Sequence, residues 1–355
     1  MSNETTNTNC PPPNKLNESE LFTKYKSSYK SAFLDLSIHT FLFSSSFYLL
    51  WLFRNSWLSV FTIQFMAFMN VRTFIVFHDC GHNSYTPNKI LNYIIGNICG
   101  VITFTPIYWK NRHDTHHNAT GNIDNNYNYY YNETIYYTCN QYKTLSYIKK
   151  YIYKLFHNPI IFLLIIPTIN FFILERFSFY KIITRKLRNK PNIIQIFVEQ
   201  IINNVGVFYL LIFLYKINIL YHFLMSNIIF ASILLFGFHS EHTFNPSYVV
   251  NSKEWTKRNS GLSGSSFIQS PIWFKYFIMG IEYHHIHHTN AKIPGYNLQA
   301  YHEEVVSKSN IFDNIVKLSI FDCYNNLWLV LYDEDKKKYI TFKEADEENI
   351  KSKIN

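Results

Sequence analysis

Long apolar blocks alternate along the chain with polar stretches rich in Asn, Tyr and Lys. Four blocks, 33–53, 57–77, 194–214 and 219–238, are almost free of charge. Each is about twenty residues long, the length a helix needs to cross the hydrocarbon core of a bilayer. They come as two pairs, with Arg54 in the short turn of the first and Lys216 in the loop of the second. Two further apolar segments suit a span poorly. Residues 90–108 contain two glycines and a proline, and residues 160–174 are short, with Pro159 at the edge and Pro167 inside. Broken backbone at membrane depth has to be buried in protein or line a cavity, so both segments are expected to be interfacial or re-entrant. The pattern therefore predicts an all-α integral membrane fold, with four transmembrane helices in two hairpins, interfacial helices and a cytosolic helical cap from residue 243 onward. Residues 1–30 read as a disordered polar tail, 31–335 as the body and 336–355 as a charged tail.

Basic residues set the orientation. The segment 176–192 holds Arg176, Lys181, Arg185, Lys186, Arg188 and Lys190 and no acid. Short loops rich in Lys and Arg stay in the cytosol, which places this segment and both termini on that side. The first thirty residues are polar, with prolines at 11–13, and do not form a signal peptide.

Composition narrows the class. Only 16% of residues are charged and 19% are aromatic, against about a quarter charged in an average soluble protein. The mean hydropathy of −0.09 is modest, because the polar stretches dilute the apolar blocks. The formal net charge of +9 suits basic cytosolic loops near anionic headgroups. No compact basic motif points to nucleic acid. The five cysteines, Cys10, Cys80, Cys99, Cys139 and Cys323, show no CxxC spacing, and their odd number argues against a disulfide scaffold.

Histidine carries the chemistry. Of fifteen histidines, eleven fall in four short clusters. These are His78-Asp-Cys-Gly-His82, His113-Asp-Thr-His116-His117, His239-Ser-Glu-His242 and His284-His285-Ile-His287-His288. On a helix, positions i, i+3 and i+4 share one face, so each box can aim imidazoles in one direction. Imidazole suits iron, zinc, copper and nickel. Carboxylates are scarce in the clusters, which argues against calcium or magnesium. Eight or nine donors are too many for one ion, so two metals are implied, either a redox pair that activates oxygen or a structural zinc pair. All four clusters follow apolar segments and meet on one membrane face in the four-span arrangement. Single histidines at 39, 157 and 222 read as interfacial.

These clusters resemble the three histidine boxes of the membrane fatty acid desaturase family. His78 to His82 resembles the first box, Trp109 to Asp124 (WKNRHDTHHNATGNID) the second, and Glu282 to Leu298 (EYHHIHHTNAKIPGYNL) the third. Gly264-Ser265-Ser266, Pro271 and Leu331-Tyr332-Asp333 match the same family, and the likeness runs over nearly all of 30–335. The subgroup it resembles most is the acyl-lipid delta-12/omega-6 desaturases, with omega-3 enzymes next.

The resemblance implies two irons, molecular oxygen as co-substrate and an external electron donor. It further implies nine metal ligands, His78, His82, His113, His116, His117, His242, His284, His287 and His288. Family members often read QHxFE at the fourth cluster, where this chain has Glu241-His242-Thr-Phe-Asn245, so His239 stands as a substitute there. Asp79 and Asp114 each follow a ligand and are candidates to fix its tautomer from behind, as are His239 and His285. Trp109, Trp255 and Trp273 line a channel or anchor the chain at the interface. The sequence has no His-Pro-Gly-Gly haem motif, so the donor is expected to be a separate cytochrome b5 or ferredoxin. Lys351-Ser-Lys353 resembles a dilysine retrieval signal and points to the endoplasmic reticulum.

The expected activity is insertion of a cis double bond into a membrane-lipid acyl chain, delta-12 on oleoyl chains, or omega-3 desaturation or hydroxylation by the same metals. A metal transporter would need donors at mid-membrane depth, and these sit at helix ends. Asn132-Glu-Thr134 has the form of a glycosylation acceptor but is cytosolic in this topology. Glycosidase treatment of protein from a eukaryotic host should leave its gel mobility unchanged; a shift would invert the orientation.

Overall fold

A computed structural model of the chain describes residues 17–124, 136–177 and 192–347. Within them, four helices are long and apolar enough to cross a membrane, Tyr29–Leu52, Ser59–Gly81, Ile193–Lys216 and Leu220–His242. They coincide with the four blocks of the sequence. The second and fourth run about one turn past the apolar runs, which carries His78 and His242 into regular helix. The basic segment mostly lies outside the described residues, as do Asn132 and the Lys351–Lys353 pair.

The second and fourth long helices pack along each other at the centre. The first leans on the second, and the third on the short helix Lys89–Ile102. The second helix is buried on all sides over Met69–Gly81, as expected of a helix apolar all round. On the first and third long helices Phe33, Phe41, Ile194 and Phe208 form an exposed apolar surface. In a bilayer that surface meets lipid.

Both broken segments fall short of a straight span. Lys89–Ile102 has 14 residues, about 21 Å of helix against a hydrocarbon core of about 30 Å. Gly96 and Gly100 let it lie close to its neighbours. A Cβ at Gly100 would come within 3.1 Å of the Phe77 ring, and one at Gly96 within 3.1 Å of Cys80. The second segment forms the helix Ile161–Arg176, which follows the helix Tyr147–Phe156 at a bend of 73°. Its first turn after the bend is π-helical and Pro167 follows directly, since proline offers no N–H to the helical ladder.

Four expectations need correction. The polar tail thought loose to residue 30 is helical from Glu18 to Tyr25, capped by Asn17 and docked on the helix Gly295–Lys308. Leu21 is buried there, and Lys24 Nζ and Tyr25 Oη each lie 2.5 Å from Glu304 Oε2. The tail expected from 336 contributes the strand Lys338–Ile340. The cap is also not wholly helical. Tyr137–Thr138, Leu331–Asp333 and Lys338–Ile340 form one small sheet, parallel then antiparallel, and Phe267–Ile268 pairs with Lys317–Leu318. His39, read as interfacial, is buried between the first two long helices, with Nε2 3.2 Å from Thr73 Oγ1.

One charge in the second helix was not singled out by the sequence pattern. Arg72 is buried and donates to the Asp35 carboxylate and to the Tyr276 carbonyl. Its guanidinium lies 4.1 Å from the Tyr276 ring centroid, and Tyr85 Oη donates to Asp35 at 2.9 Å. A buried ion pair adds little net stability, but removing one partner strands the other charge. Arg72→Met should therefore lower the stability of the purified protein by about 3–5 kcal/mol, read as a fall in unfolding midpoint. The same midpoint as the parent would mean that Asp35 finds other solvation.

Candidate metal centre

Helix ends bring the histidines together. His78 and His82 lie one turn apart at the end of the second long helix, and His242 is the last residue of the fourth. His113, His116 and His117 share the helix Trp109–His117. His284, His287 and His288 share the six-residue helix His284–Thr289. All nine are buried. They fall into two groups, His78, His82, His113, His117 and His287 in one, and His116, His242, His284 and His288 in the other. Within each group the donor atoms lie within 4.8 Å of one another. The rings of His117 and His288 stack at 4.1 Å between the groups.

The nitrogens meet lone pair to lone pair. In the four-histidine group, His242 Nδ1 lies 3.0 Å from the Gly264 carbonyl, and His116 Nδ1 3.2 Å from Thr120 Oγ1. Thr120 spends its own proton on the His116 carbonyl at 2.7 Å, so its oxygen accepts from the ring. His284 Nδ1 lies 3.3 Å from Glu241 Oε2. A neutral imidazole carries one proton. With that proton on Nδ1, the Nε2 of His116 and of His242 presents a lone pair. Yet His116 and His242 Nε2 lie 3.1 Å apart, and His284 and His242 Nε2 2.9 Å apart. Such contacts repel unless a cation sits between them.

The five-histidine group repeats the pattern. His78 Nδ1 faces Asp79 Oδ1 at 3.2 Å, while its Nε2 lies 2.9 Å from that of His113. His117 Nε2 lies 3.1 Å from His113 Nε2 and 2.9 Å from His287 Nε2. Among the described residues, Nε2 of His82 and of His288 has no hydrogen-bond partner. Protonation does not relieve the crowding. Burial pushes His82, His113, His116, His117, His284, His287 and His288 well below the ordinary imidazole pKa.

The donor set fits two metal ions. A metal–imidazole bond of about 2.1 Å puts ligands at right angles about 3.0 Å apart, against about 3.4 Å around a tetrahedral ion. The observed 2.9–3.1 Å separations match the first spacing.

The sequence candidates divide. Asp79 braces His78, and its Oδ2 accepts from the Gly295 N–H at 2.6 Å, tying the box to the cap. Gly295 has no room for a side chain, since a Cβ would come within 2.4 Å of the Met279 carbonyl. Asp114 is exposed and stands 3.6 Å from His82 Nδ1. His239 stays outside both groups, its nitrogens 2.5 Å from Tyr136 Oη and 2.9 Å from the Asn326 carbonyl. His285 is also outside, packed on His302 and Phe312.

Sequence reasoning did not single out Glu241, Thr120 or the Gly264 carbonyl as braces. Thr120 follows His116 by one turn, a spacing that could have pointed to it. Gly264 stood out only as part of the Gly264-Ser265-Ser266 resemblance, with nothing to mark its carbonyl as a brace. Glu241 was visible only as an acid at the end of an apolar helix.

A cavity of about 650 Å³ opens beside the site. Val71, Phe74, Phe171, Ile233 and Phe274 form much of its wall, and His78, His113 and His284 reach it. Trp109 lines it too and stacks on His113 at 4.5 Å. Trp255 instead donates to the Thr120 carbonyl at 2.8 Å, and Trp273 is exposed against Phe68. Polar groups on the wall are few; they include Arg112, Glu241 and Glu282. Arg112 donates to Glu175 at 2.8 Å. Burial pushes Glu282 up to about 7.

The chain matches the family model described as fatty acid desaturase over residues 55–310. It is 31% identical over 276 residues to a protein of Bacillus subtilis (strain 168) named fatty acid desaturase, covering 77% of this chain and 74% of that one. Over 58 residues, 16% of each chain, it is 45% identical to the sn-1 acyl-lipid omega-3 desaturase (ferredoxin) of Nostoc sp. (strain 36). It is 25% identical over 258 residues to the chloroplastic omega-6 fatty acid desaturase of Arabidopsis thaliana, covering 68% of this chain and 52% of that protein.

An acceptor behind a ligating histidine fixes its ring and raises its basicity, and losing one costs about 10–100-fold in metal affinity. Glu241→Leu should weaken metal retention by about that factor, measured by chelator competition. Retention equal to the parent would show that the carboxylate does not hold His284.

Proposed function

This chain belongs to the fatty acid desaturase family, a family of oxidoreductases, and on that footing we propose that it inserts a cis double bond into a lipid acyl chain using two irons held by the nine clustered histidines. The observation that carries the reading is the convergence of Nε2 lone pairs at the head of an apolar cavity. His78, His82, His113, His117 and His287 would hold one iron, and His116, His242, His284 and His288 the other. Right-angled donor spacing favours iron over tetrahedral zinc. When bound, the pair supplies activation of molecular oxygen.

The chain's own residues supply the rest. The cavity falls within the range of small-molecule sites and accepts an alkyl chain without asking for hydrogen bonds. Its apolar wall keeps water from the reacting methylenes, and the stacked Trp109 and His113 hold one ligand rigid against that wall. Positioning of this kind, rather than acid–base catalysis, is what the protein adds to a metal cofactor. Overall, one dioxygen takes up two hydrogens from adjacent methylenes, two protons and two electrons, and leaves as two waters. The electrons come from outside, from a ferredoxin or cytochrome b5; the Nostoc relative is named for ferredoxin.

Within this chemistry the reading is delta-12 (omega-6) desaturation of oleoyl chains, supported by the Arabidopsis relative named omega-6. Omega-3 desaturation is the second reading, because the 45% identity over 58 residues is to an omega-3 enzyme. The charge of 176–192 supports a cytosolic site.

Expression in a host rich in monounsaturated lipid tests the proposal. Gas chromatography of fatty-acid methyl esters should reveal a diunsaturated C18 chain absent from the host. A hydroxylated main product, or a host profile unchanged by a protein that carries its metal, would overturn desaturation.

A further inference from the structure

His82 is a ligand in contact with an exposed side chain. It is 8% exposed, beside His242 at 7% and the other seven at 1–4%. Directly outside it stands Asp114, an exposed carboxylate 3.6 Å from His82 Nδ1. The strongest electrostatic neighbours of Asp114 are Lys110, Lys292 and Lys257, in that order. Lys292 and Lys257 also act on His82, and Lys89 acts on Lys292. Lys292 Nζ donates to the His82 carbonyl at 2.5 Å. Lys89, Lys257 and Lys292 are exposed and Lys110 is half-buried.

These lysines come from separate stretches of chain. Lys89 starts the short helix after the first histidine box, Lys110 lies on the second-box helix, Lys257 opens the helix Lys257–Ser263, and Lys292 follows the third box. The fold gathers Lys110, Lys257 and Lys292 about the contact between Asp114 and His82, with Lys89 beyond Lys292. Electron tunnelling weakens steeply with distance, and a carrier docked here would reach a ligand through Asp114 and His82 in contact. A positive patch also steers a negatively charged partner and orients its encounter.

We propose that this face, Asp114 with Lys110, Lys257 and Lys292 about it and Lys89 beyond Lys292, docks an acidic one-electron carrier protein, and that electrons enter the five-histidine group through His82. The inference rests on the reading above that the centre is reduced from outside. It adds where the carrier binds and which of the two groups receives the electron first.

The test uses the full chain in nanodiscs of zwitterionic phosphatidylcholine, with a plant-type ferredoxin as the acidic carrier. The variant combines Lys89→Glu with Lys257→Glu, and Lys143→Glu with Lys149→Glu serves as a control elsewhere on the surface. Ferredoxin affinity is measured by surface plasmon resonance across a salt series. The first variant should bind about tenfold or more weakly and lose much of its salt dependence, while the control matches the parent. Double-bond formation driven by dithionite, which needs no docking, should be unchanged in both. Equal ferredoxin affinity in parent and first variant overturns the proposal. So does an equal loss under dithionite, which would place these lysines in the centre's own support. If the variant instead loses binding only to phosphatidylglycerol vesicles, the face belongs to the lipid surface and the proposal falls. A parent that binds ferredoxin in this salt-dependent way but makes no double bond with either reductant would refute the proposed function and leave the docking face standing.

Discussion

Bare imidazole nitrogens facing one another at about 3 Å are the constraint on which the rest of this structure turns. In water such rings would rotate apart or pick up protons. Here neither escape is open, because burial disfavours imidazolium and each brace holds a ring from behind. Asp79, Thr120, the Gly264 carbonyl and Glu241 face the Nδ1 side of four different ligands. The braces also come from segments far apart in sequence. The two groups are arranged so that each could hold a metal ion.

Holding that arrangement falls to helix packing. Two long helices carry ligands at their ends, and they are the central pair of the bundle. Their mutual burial fixes where His78 and His242 emerge. Arg72, bound to Asp35 and the Tyr276 carbonyl, joins the first two long helices to the segment before the third box. The Asp79 contact with Gly295 makes a second tie to the cap. A shift of either helix would therefore displace donors and braces together. The same packing leaves the apolar cavity open beside the histidine groups, with His78, His113 and His284 on its wall.

The two faces of the centre differ in kind. Toward the bundle it meets Phe74, Phe171 and Ile233, an environment that excludes water and favours a hydrocarbon. Toward solvent, on the His82 side, it meets Asp114 and lysines. On the proposed function these two faces would serve the acyl chain and the reductant separately.

Much of this was legible in the sequence. Four charge-poor blocks of span length announced four helices, because a backbone crossing lipid must satisfy its own hydrogen bonds within the segment. Histidines three and four apart announced shared helix faces, so the three boxes and their family resemblance could be read without coordinates. What the sequence could not order was contact between distant segments. Nothing local separates His242 from His239, or His284 from His285, since each pair has the same chemistry and neighbouring positions. Only packing decides it, by turning His239 toward Tyr136 and Asn326 and His285 toward His302 and Phe312. The division of nine ligands into five and four, the role of Glu241 and the docked helix Glu18–Tyr25 are of the same kind. Helical periodicity sets where side chains point relative to their own backbone; which rings meet across the bundle depends on how separate helices pack, and that is a property of the tertiary fold alone.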